Sequence, residues 1–214
     1  MDNSVTSTFV KYREGLLVRQ ASGPMTLLVI MLHGWSGDER AMWVFESVLP
    51  PSSLVLSVRG IFPIEEGGYQ WTSEPPSIDL DRTKFEVSSN FLRSVKDEFV
   101  AQLKTPIKVV LMGFSQGAAL AFASTSDLEP DGVVAIAGFL PEGSTGHFSS
   151  VPIYWGHGIQ DHHVPISRAR EDVAKLRKAG AKVAFCEVDV GHKLGAECAQ
   201  GLEQWMKLTF SKET

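Results

Sequence analysis

The sequence is poor in cysteine, with only Cys186 and Cys198 among its 214 residues. A chain of this length can bury a sizeable core without covalent cross-links, so a disulfide framework is not required. We therefore expect both cysteines to be reduced and partly buried.

Two targeting signals are also missing from the sequence. No run reaches the roughly 18 consecutive apolar residues that a membrane-spanning helix needs. Residues 1–15 lack the basic start and the apolar stretch of a secretory signal. These absences predict a cytoplasmic protein that does not span a membrane.

An excess of basic charge is absent as well, because 25 acidic side chains face 20 basic ones and the net charge is -5. Without a basic field to collect phosphates, nucleic acid and anionic membranes are disfavoured, and a small molecule is the expected partner.

Hydrophobic residues make up 43% of the chain, which is average for a folded protein, so we expect residues 1–214 to form a single domain. Whether that domain forms a homodimer is left open.

Apolar runs alternate along the chain with segments of helical periodicity, such as the stripe from Phe91 to Phe99. This alternation predicts an α/β fold with a mostly parallel central sheet and helices on both faces. Residues 8–19 predict an antiparallel hairpin that turns at Glu14-Gly15. The longest aperiodic stretch, Gly60 to Lys84, is too short for a separate lid domain. The predicted strands are Leu27–Leu32, Leu54–Val58, Val109–Met112, Val133–Ala137, Pro152–Trp155 and Val183–Val190.

The segment Gly113-Phe114-Ser115-Gln116-Gly117 follows an apolar strand and opens an alanine-rich helix. In this context the pattern G-x-S-x-G places a serine on a sharp strand-to-helix turn, where the flanking glycines remove Cβ atoms that would clash. The hydroxyl group then projects above the sheet, close to a helix N-terminus that favours negative charge. Ser115 is therefore the predicted nucleophile.

A nucleophilic serine needs a base and an acid that orients the base, in the chain order Ser, Asp or Glu, His. Asp161 follows one predicted strand and His192 follows the last one, so both should lie at the same sheet edge as Ser115. Asp161 is the predicted acid and His192 the predicted base. The competing acids lie at the opposite edge or inside a strand: Asp127, Asp131, Glu187 and Asp189.

Three histidines surround Asp161 in the sequence, namely His157, His162 and His163. Their spacing matches no common zinc pattern, and no second Cys/His group accompanies them. We therefore expect neither a metal ion nor a cofactor, and we place His162 and His163 at the pocket rim or the surface.

Two backbone N–H groups are predicted to stabilise an oxyanion. One belongs to Gln116, directly after the nucleophile, and the other to Trp35, in the loop that follows the first parallel strand. Glycines in that loop let the backbone approach a substrate closely. The alternative is an ordinary glycine-rich turn.

The sequence contains, in this order, the segments LHGWSGDE, RGIFPIEEGGYQW, GFSQGAALA, AGFLP, GHGIQDHHVP and GHKLG. This series, from Leu27 to the C-terminus, resembles the phospholipase/carboxylesterase family of α/β hydrolases, which includes acyl-protein thioesterases. The resemblance implies an α/β-hydrolase fold without a large cap domain, activity on carboxylic esters or thioesters, and the triad predicted above. It also implies that Phe139-Leu140 and Val164-Pro165 lie near the acyl pocket.

Trp35 is larger than the residue often found at its position in that family. Its indole narrows the predicted mouth, which favours small to medium acyl esters. Together with Trp71 it either forms an aromatic wall or simply packs the loop. The predicted pocket residues are Trp71, Phe139, Leu140 and Val164.

The leading hypothesis is therefore a serine carboxylic ester hydrolase that works through an acyl-enzyme. Two alternatives use the same triad, an acyl thioesterase and a dienelactone-type hydrolase. A third is a non-catalytic binding protein that keeps the hydrolase fold.

Overall fold

A computed structural model of the protein describes residues 9–149 and 151–210. The strands in chain order are β1 (Phe9–Arg13), β2 (Leu16–Arg19), β3 (Leu27–Leu32), β4 (Ser53–Val58), β5 (Phe62–Pro63), β6 (Tyr69–Gln70), β7 (Lys108–Phe114), β8 (Gly132–Ile136), β9 (Pro152–Gly158) and β10 (Lys182–Val188). The α-helices are α1 (Glu86–Val100), α2 (Gln116–Ala123), α3 (Thr125–Leu128), α4 (Ile166–Lys178) and α5 (Ala196–Phe210). The 3₁₀ helices cover Ala41–Val48, Arg82–Phe85 and Thr145–His147.

Within the described residues, eight strands form one sheet in the order β1-β2-β4-β3-β7-β8-β9-β10. The pairings from β4 to β10 are parallel, whereas β1 and β2 add an antiparallel edge. The predicted hairpin is confirmed over residues 9–19, while residue 8 lies outside the described part. The loop after β4 holds the small hairpin of β5 and β6 and forms no cap domain.

Helices cover both faces of the sheet because the central strands are apolar on both faces. In β3, Leu28, Ile30 and Leu32 belong to one buried cluster, and the alternating residues 27, 29 and 31 belong to the other. The first cluster also contains residues of α1, α2 and α4, and the second contains residues of α5 and the 3₁₀ helix Ala41–Val48. The predicted α/β-hydrolase architecture is therefore confirmed.

The parallel strands all end at one edge of the sheet, and the loops after them lie together there. Trp35 follows β3, Ser115 follows β7, Asp161 follows β9 and His192 follows β10. The predicted strands differ from the observed ones mainly at their ends, where pairing with a neighbouring strand extends or shortens them. No helix in the described part of the chain is long and apolar enough to cross a membrane.

The two cysteines are joined by a disulfide, so the prediction that both are reduced is wrong. Cys186 lies in β10 and Cys198 in α5, and their Cα atoms are 5.6 Å apart. The two residues meet because the chain turns back after β10 and packs α5 against the sheet. Since nothing in the sequence shows which face of β10 carries Cys186, this proximity depends on the fold.

We expect reduction of the disulfide to lower the free energy of unfolding. Cys186 and Cys198 are separated by 12 positions, and the loss of entropy on closing so short a loop is worth about 3 kcal/mol. Urea unfolding with and without a thiol reductant measures this difference. The double variant Cys186→Ser/Cys198→Ala should unfold at the same urea concentration in both conditions. Equal wild-type midpoints with and without reductant would contradict the prediction.

Candidate active site

Ser115 lies at the junction of β7 and α2 in a backbone conformation that few side-chain-bearing residues adopt, with φ +53° and ψ -116°. The turn is tight enough that only glycine fits at two positions. A Cβ at Gly117 would collide with the carbonyl oxygens of Leu32 and His33, and one at Gly113 would collide with the backbone of Gly117. The G-x-S-x-G pattern thus has a steric origin in this chain.

Asp161 is buried behind His192 and orients its ring. The carboxylate Oδ2 accepts a hydrogen bond from His192 Nδ1 at 2.7 Å. Its Oδ1 accepts the backbone N–H groups of His163 and Val164, each at 2.9 Å. These bonds fix the carboxylate, and they leave His192 Nε2 as the nitrogen that can take a proton.

The Ser115 side chain and the His192 ring line the same cavity. Within the described residues neither the Ser115 hydroxyl nor His192 Nε2 makes a hydrogen bond. Catalytic hydrogen bonds are often long in ligand-free sites and tighten when substrate binds. The ring of His192 contacts the rings of Phe114 and His163, and its centroid is 4.9 Å from each of theirs. These rings limit the directions in which the imidazole can move.

Trp35 and Gln116, the residues predicted to supply the oxyanion donors, are both among those that line this cavity. Gln116 is the first residue of α2, so its N–H has no partner within the helix. Trp35 lies within a turn that is closed by a hydrogen bond from the Gly37 N–H to the carbonyl of Gly34 at 3.1 Å. Neither of these N–H groups donates a hydrogen bond among the described residues.

His33 is fully buried and holds the loop that carries Trp35. Its Nδ1 donates to the carbonyl of Gly34 at 2.6 Å, and its Nε2 accepts the N–H of Gly60 at 2.8 Å. The indole N–H of Trp71 donates to the His33 carbonyl at 2.7 Å, and the backbone N–H of Trp71 donates to Gln116 Oε1 at 2.9 Å. Burial lowers the pKa of His33 and keeps its ring neutral.

His157 plays a corresponding part behind Asp161. Its Nε2 donates to the carbonyl of Val164 at 2.8 Å, and its Nδ1 accepts the indole N–H of Trp155 at 3.2 Å. The same Nε2 is 3.4 Å from Asp161 Oδ2. Burial lowers the pKa of His157, so a neutral ring supports the carboxylate. From the sequence, His157 is considered only as a metal ligand, although its place at the end of an apolar strand was a signal for a supporting role.

The cavity around Ser115, named here the reaction cavity, has a volume of about 680 Å³. Two predicted pocket residues, Phe139 and Val164, line it, as does His163. Two others do not. Trp71 is buried beneath the loop with its indole against the His33 ring, and Leu140 faces a separate cavity beside Arg168. Residues 76–78 of the loop after β4 complete the wall.

The competing residues lie elsewhere. Asp127 pairs with Arg82 and Arg93, and Glu187 forms a two-bond ion pair with Arg170. No group of three or more His, Cys, Asp or Glu side chains in residues 9–149 and 151–210 is arranged to hold a metal ion.

Residues 14–209 match the Phospholipase/Carboxylesterase family. A protein of Arabidopsis thaliana named "Probable carboxylesterase SOBER1-like" is 28% identical, over 96% of this chain and 80% of that protein. Acyl-protein thioesterase 1 of Saccharomyces cerevisiae is 36% identical, over 71% of this chain and 78% of its own length. The crystal structure of the Bacillus cereus carboxylesterase has the same fold, with a TM-score of 0.80 and 20% identity, over 91% of this chain and 94% of that one.

The two buried histidines predict how stability depends on pH. Their folded pKa values lie below the unfolded value of about 6.5, so the unfolded chain binds more protons. The contribution of these histidines to the free energy of unfolding should therefore be fully present above pH 6.5 and should decrease as the pH drops below that value.

Urea unfolding at pH 7.5 and 5.5 measures this loss. In His157→Gln, whose amide can still donate to the Val164 carbonyl, the loss between the two pH values should be smaller than in the wild type. The exposed His162 supplies the matched control, since His162→Gln should lose as much as the wild type. An unchanged loss in His157→Gln would contradict the assignment of a neutral, buried ring.

Proposed function

Because the chain belongs to the phospholipase/carboxylesterase family, we propose that it hydrolyses small to medium acyl esters through an acyl-enzyme formed on Ser115. The chain is a carboxylic ester hydrolase. The observation that carries the detailed proposal is the hydrogen bond from His192 Nδ1 to the buried Asp161 at 2.7 Å, beside a serine on a strained turn in the same cavity.

In this proposal each of these groups has a defined role. His192 Nε2 takes the proton from the Ser115 hydroxyl as the oxygen attacks the ester carbonyl carbon. Asp161 stabilises the imidazolium cation, and the N–H groups of Trp35 and Gln116 receive the oxyanion. His192 then returns the proton to the leaving oxygen, and a water molecule hydrolyses the acyl-enzyme by the same steps.

A thioester substrate is the second candidate, because the same groups attack a thioester carbonyl. The 36% identical yeast relative carries the name acyl-protein thioesterase. Hydrolysis rates for an oxygen ester and a thioester with the same acyl group separate the two. A thioester preference above tenfold in kcat/KM would favour the second candidate.

Replacement of Ser115 by alanine should lower kcat/KM by a factor on the order of 10⁴ or more, because the nucleophile is lost. A fluorophosphonate probe should label the wild type and not Ser115→Ala. The exposed Ser94 on α1 provides the matched control, and Ser94→Ala should be labelled and active like the wild type.

Circular dichroism shows whether each variant is folded. A folded Ser115→Ala protein that keeps a tenth of the wild-type activity would overturn the nucleophile assignment. Failure of the wild type to react with the probe would favour a non-catalytic protein.

Acyl length should affect the rate until the wall of the reaction cavity is reached. Each buried methylene contributes about 0.8 kcal/mol, or roughly a fourfold rise in kcat/KM. A series of p-nitrophenyl esters from acetyl to palmitoyl should therefore peak at short to medium chains. Ile78→Trp should move the peak to shorter chains and Ile78→Ala to longer ones, since Ile78 lines the wall. A steady rise to palmitoyl in the wild type would contradict this.

The single-domain organisation of residues 1–214 and the cytoplasmic location stay predictions. The disulfide opposes the location, because thiols in the cytosol are kept reduced. Alkylation of free thiols before cell lysis, followed by mass measurement, reports the state of Cys186 and Cys198 in the cell. Alkylation of both cysteines would support a cytosolic location. Alkylation of neither cysteine would oppose that location.

A further inference from the structure

A second cavity, of about 490 Å³, adjoins the reaction cavity. It lies between the 3₁₀ helix Ala41–Val48 and the beginning of α5. The two cavities share the wall formed by residues 34–36 and Phe114. Apart from the shared Trp35, no residue that lines the second cavity is assigned to the chemistry, so the proposed roles of the triad and the oxyanion donors leave most of it unexplained.

The lining of the second cavity is mainly apolar, and Lys193 is the one charged residue among those that line it. Two of the lining side chains are unusually exposed for their type, with Val44 at 75% and Trp35 at 43%. The indole of Trp35 is held in place by a hydrogen bond from Nε1 to Gln70 Oε1 at 3.1 Å. The apolar side chains of the wall include those of Trp35, Val44, Phe45, Phe114, Leu194 and Ala199.

The position of this cavity relative to His192 indicates which part of a substrate it holds. Lys193 and Leu194 directly follow the base, and the ring of Phe114 lies 4.9 Å from the His192 ring. During acylation His192 gives its proton to the leaving oxygen or sulfur atom, so the leaving group must lie beside the base. The part of the reaction-cavity wall that the second cavity does not share, which includes Gln116, Phe139 and Val164, is then available to the acyl chain.

We propose that the second cavity binds the leaving group of the substrate, a medium-sized apolar alcohol or thiol without positive charge. The apolar wall favours burial of such a group, and the ammonium group of Lys193 disfavours a cation. The inference rests on the proposed function, since it takes Ser115 as the nucleophile and His192 as the proton donor.

This arrangement has a kinetic consequence. The leaving group departs when the acyl-enzyme forms, so contacts in the second cavity act on acylation and not on deacylation. Contacts with the acyl chain act on both steps. A variant that narrows the second cavity should therefore slow acylation by bulky esters and leave hydrolysis of the acyl-enzyme unchanged.

The test compares 2-naphthyl butyrate with ethyl butyrate, which form the same acyl-enzyme. Val44→Trp and Ala199→Phe narrow the second cavity, and Val87→Trp is the matched control because Val87 is 61% exposed on α1. In the two narrowing variants, kcat/KM for the naphthyl ester should fall about tenfold relative to the wild type. For the ethyl ester it should fall less than twofold, and the deacylation rate constant from burst kinetics should not change.

Three outcomes would overturn the proposal. One is a changed deacylation rate constant, which would assign the second cavity to the acyl chain. Another is an equal loss for both esters, and the last is a naphthyl-ester loss of the same size in Val87→Trp. Fluorophosphonate labelling keeps these outcomes separate from failure of the proposed function. If the narrowing variants are labelled at the wild-type rate but show no ester selectivity, only the second-cavity assignment fails.

Discussion

The close approach of α2 to the end of β3 fixes the distance between Ser115 and the loop after β3, which carry the proposed nucleophile and an oxyanion donor. Gly117 has no side chain, so the first turn of α2 lies directly on the carbonyl oxygens of Leu32 and His33. Leu32 in turn is the sheet partner of Gly113 in β7. Ser115 at the end of β7 and the loop after β3, the proposed nucleophile and oxyanion loop, are therefore joined through backbone atoms, which few side-chain movements can disturb.

Two buried, neutral imidazole rings support the site, one at the loop after β3 and the other beside Asp161. His33 ties the oxyanion loop to Gly60, and His157 lies between Trp155 and the backbone of Val164, beside Asp161. Each ring donates through one nitrogen and accepts an N–H group through the other. Protonation would place two N–H groups against each other in a buried space, so the neutral form stabilises the arrangement. The geometry of the triad and of the oxyanion donors thus depends on residues that do not touch the reacting atoms.

The proposed reacting residues and the walls of the two cavities come from different parts of the chain. Ser115, Asp161 and His192 follow strands of the rigid sheet, whereas the walls of the two cavities come largely from loops and short helices. Trp35 belongs to both groups, since it is a proposed oxyanion donor and also lines both cavities. The disulfide between Cys186 and Cys198 closes the segment that contains His192 and joins β10 to α5. Loop changes could therefore alter substrate choice while the triad stays in place.

Local sequence signals were sufficient to predict the α/β fold and to nominate Ser115, Asp161 and His192, which the structure places at one edge of the sheet. A continuous apolar run indicates a strand that is buried on both faces, and G-x-S-x-G indicates a tight turn. Each of these two signals depends only on residues that are neighbours in the sequence. The orientation of a side chain in an aperiodic loop has no such signal, which is why Trp71 was placed in the pocket although it packs beneath the loop. For the same reason the sequence predicted neither the position of Leu140 outside the reaction cavity nor the disulfide. Which faces meet, and hence which cysteines join and which cavities form, was decided by the packing of helices on the sheet.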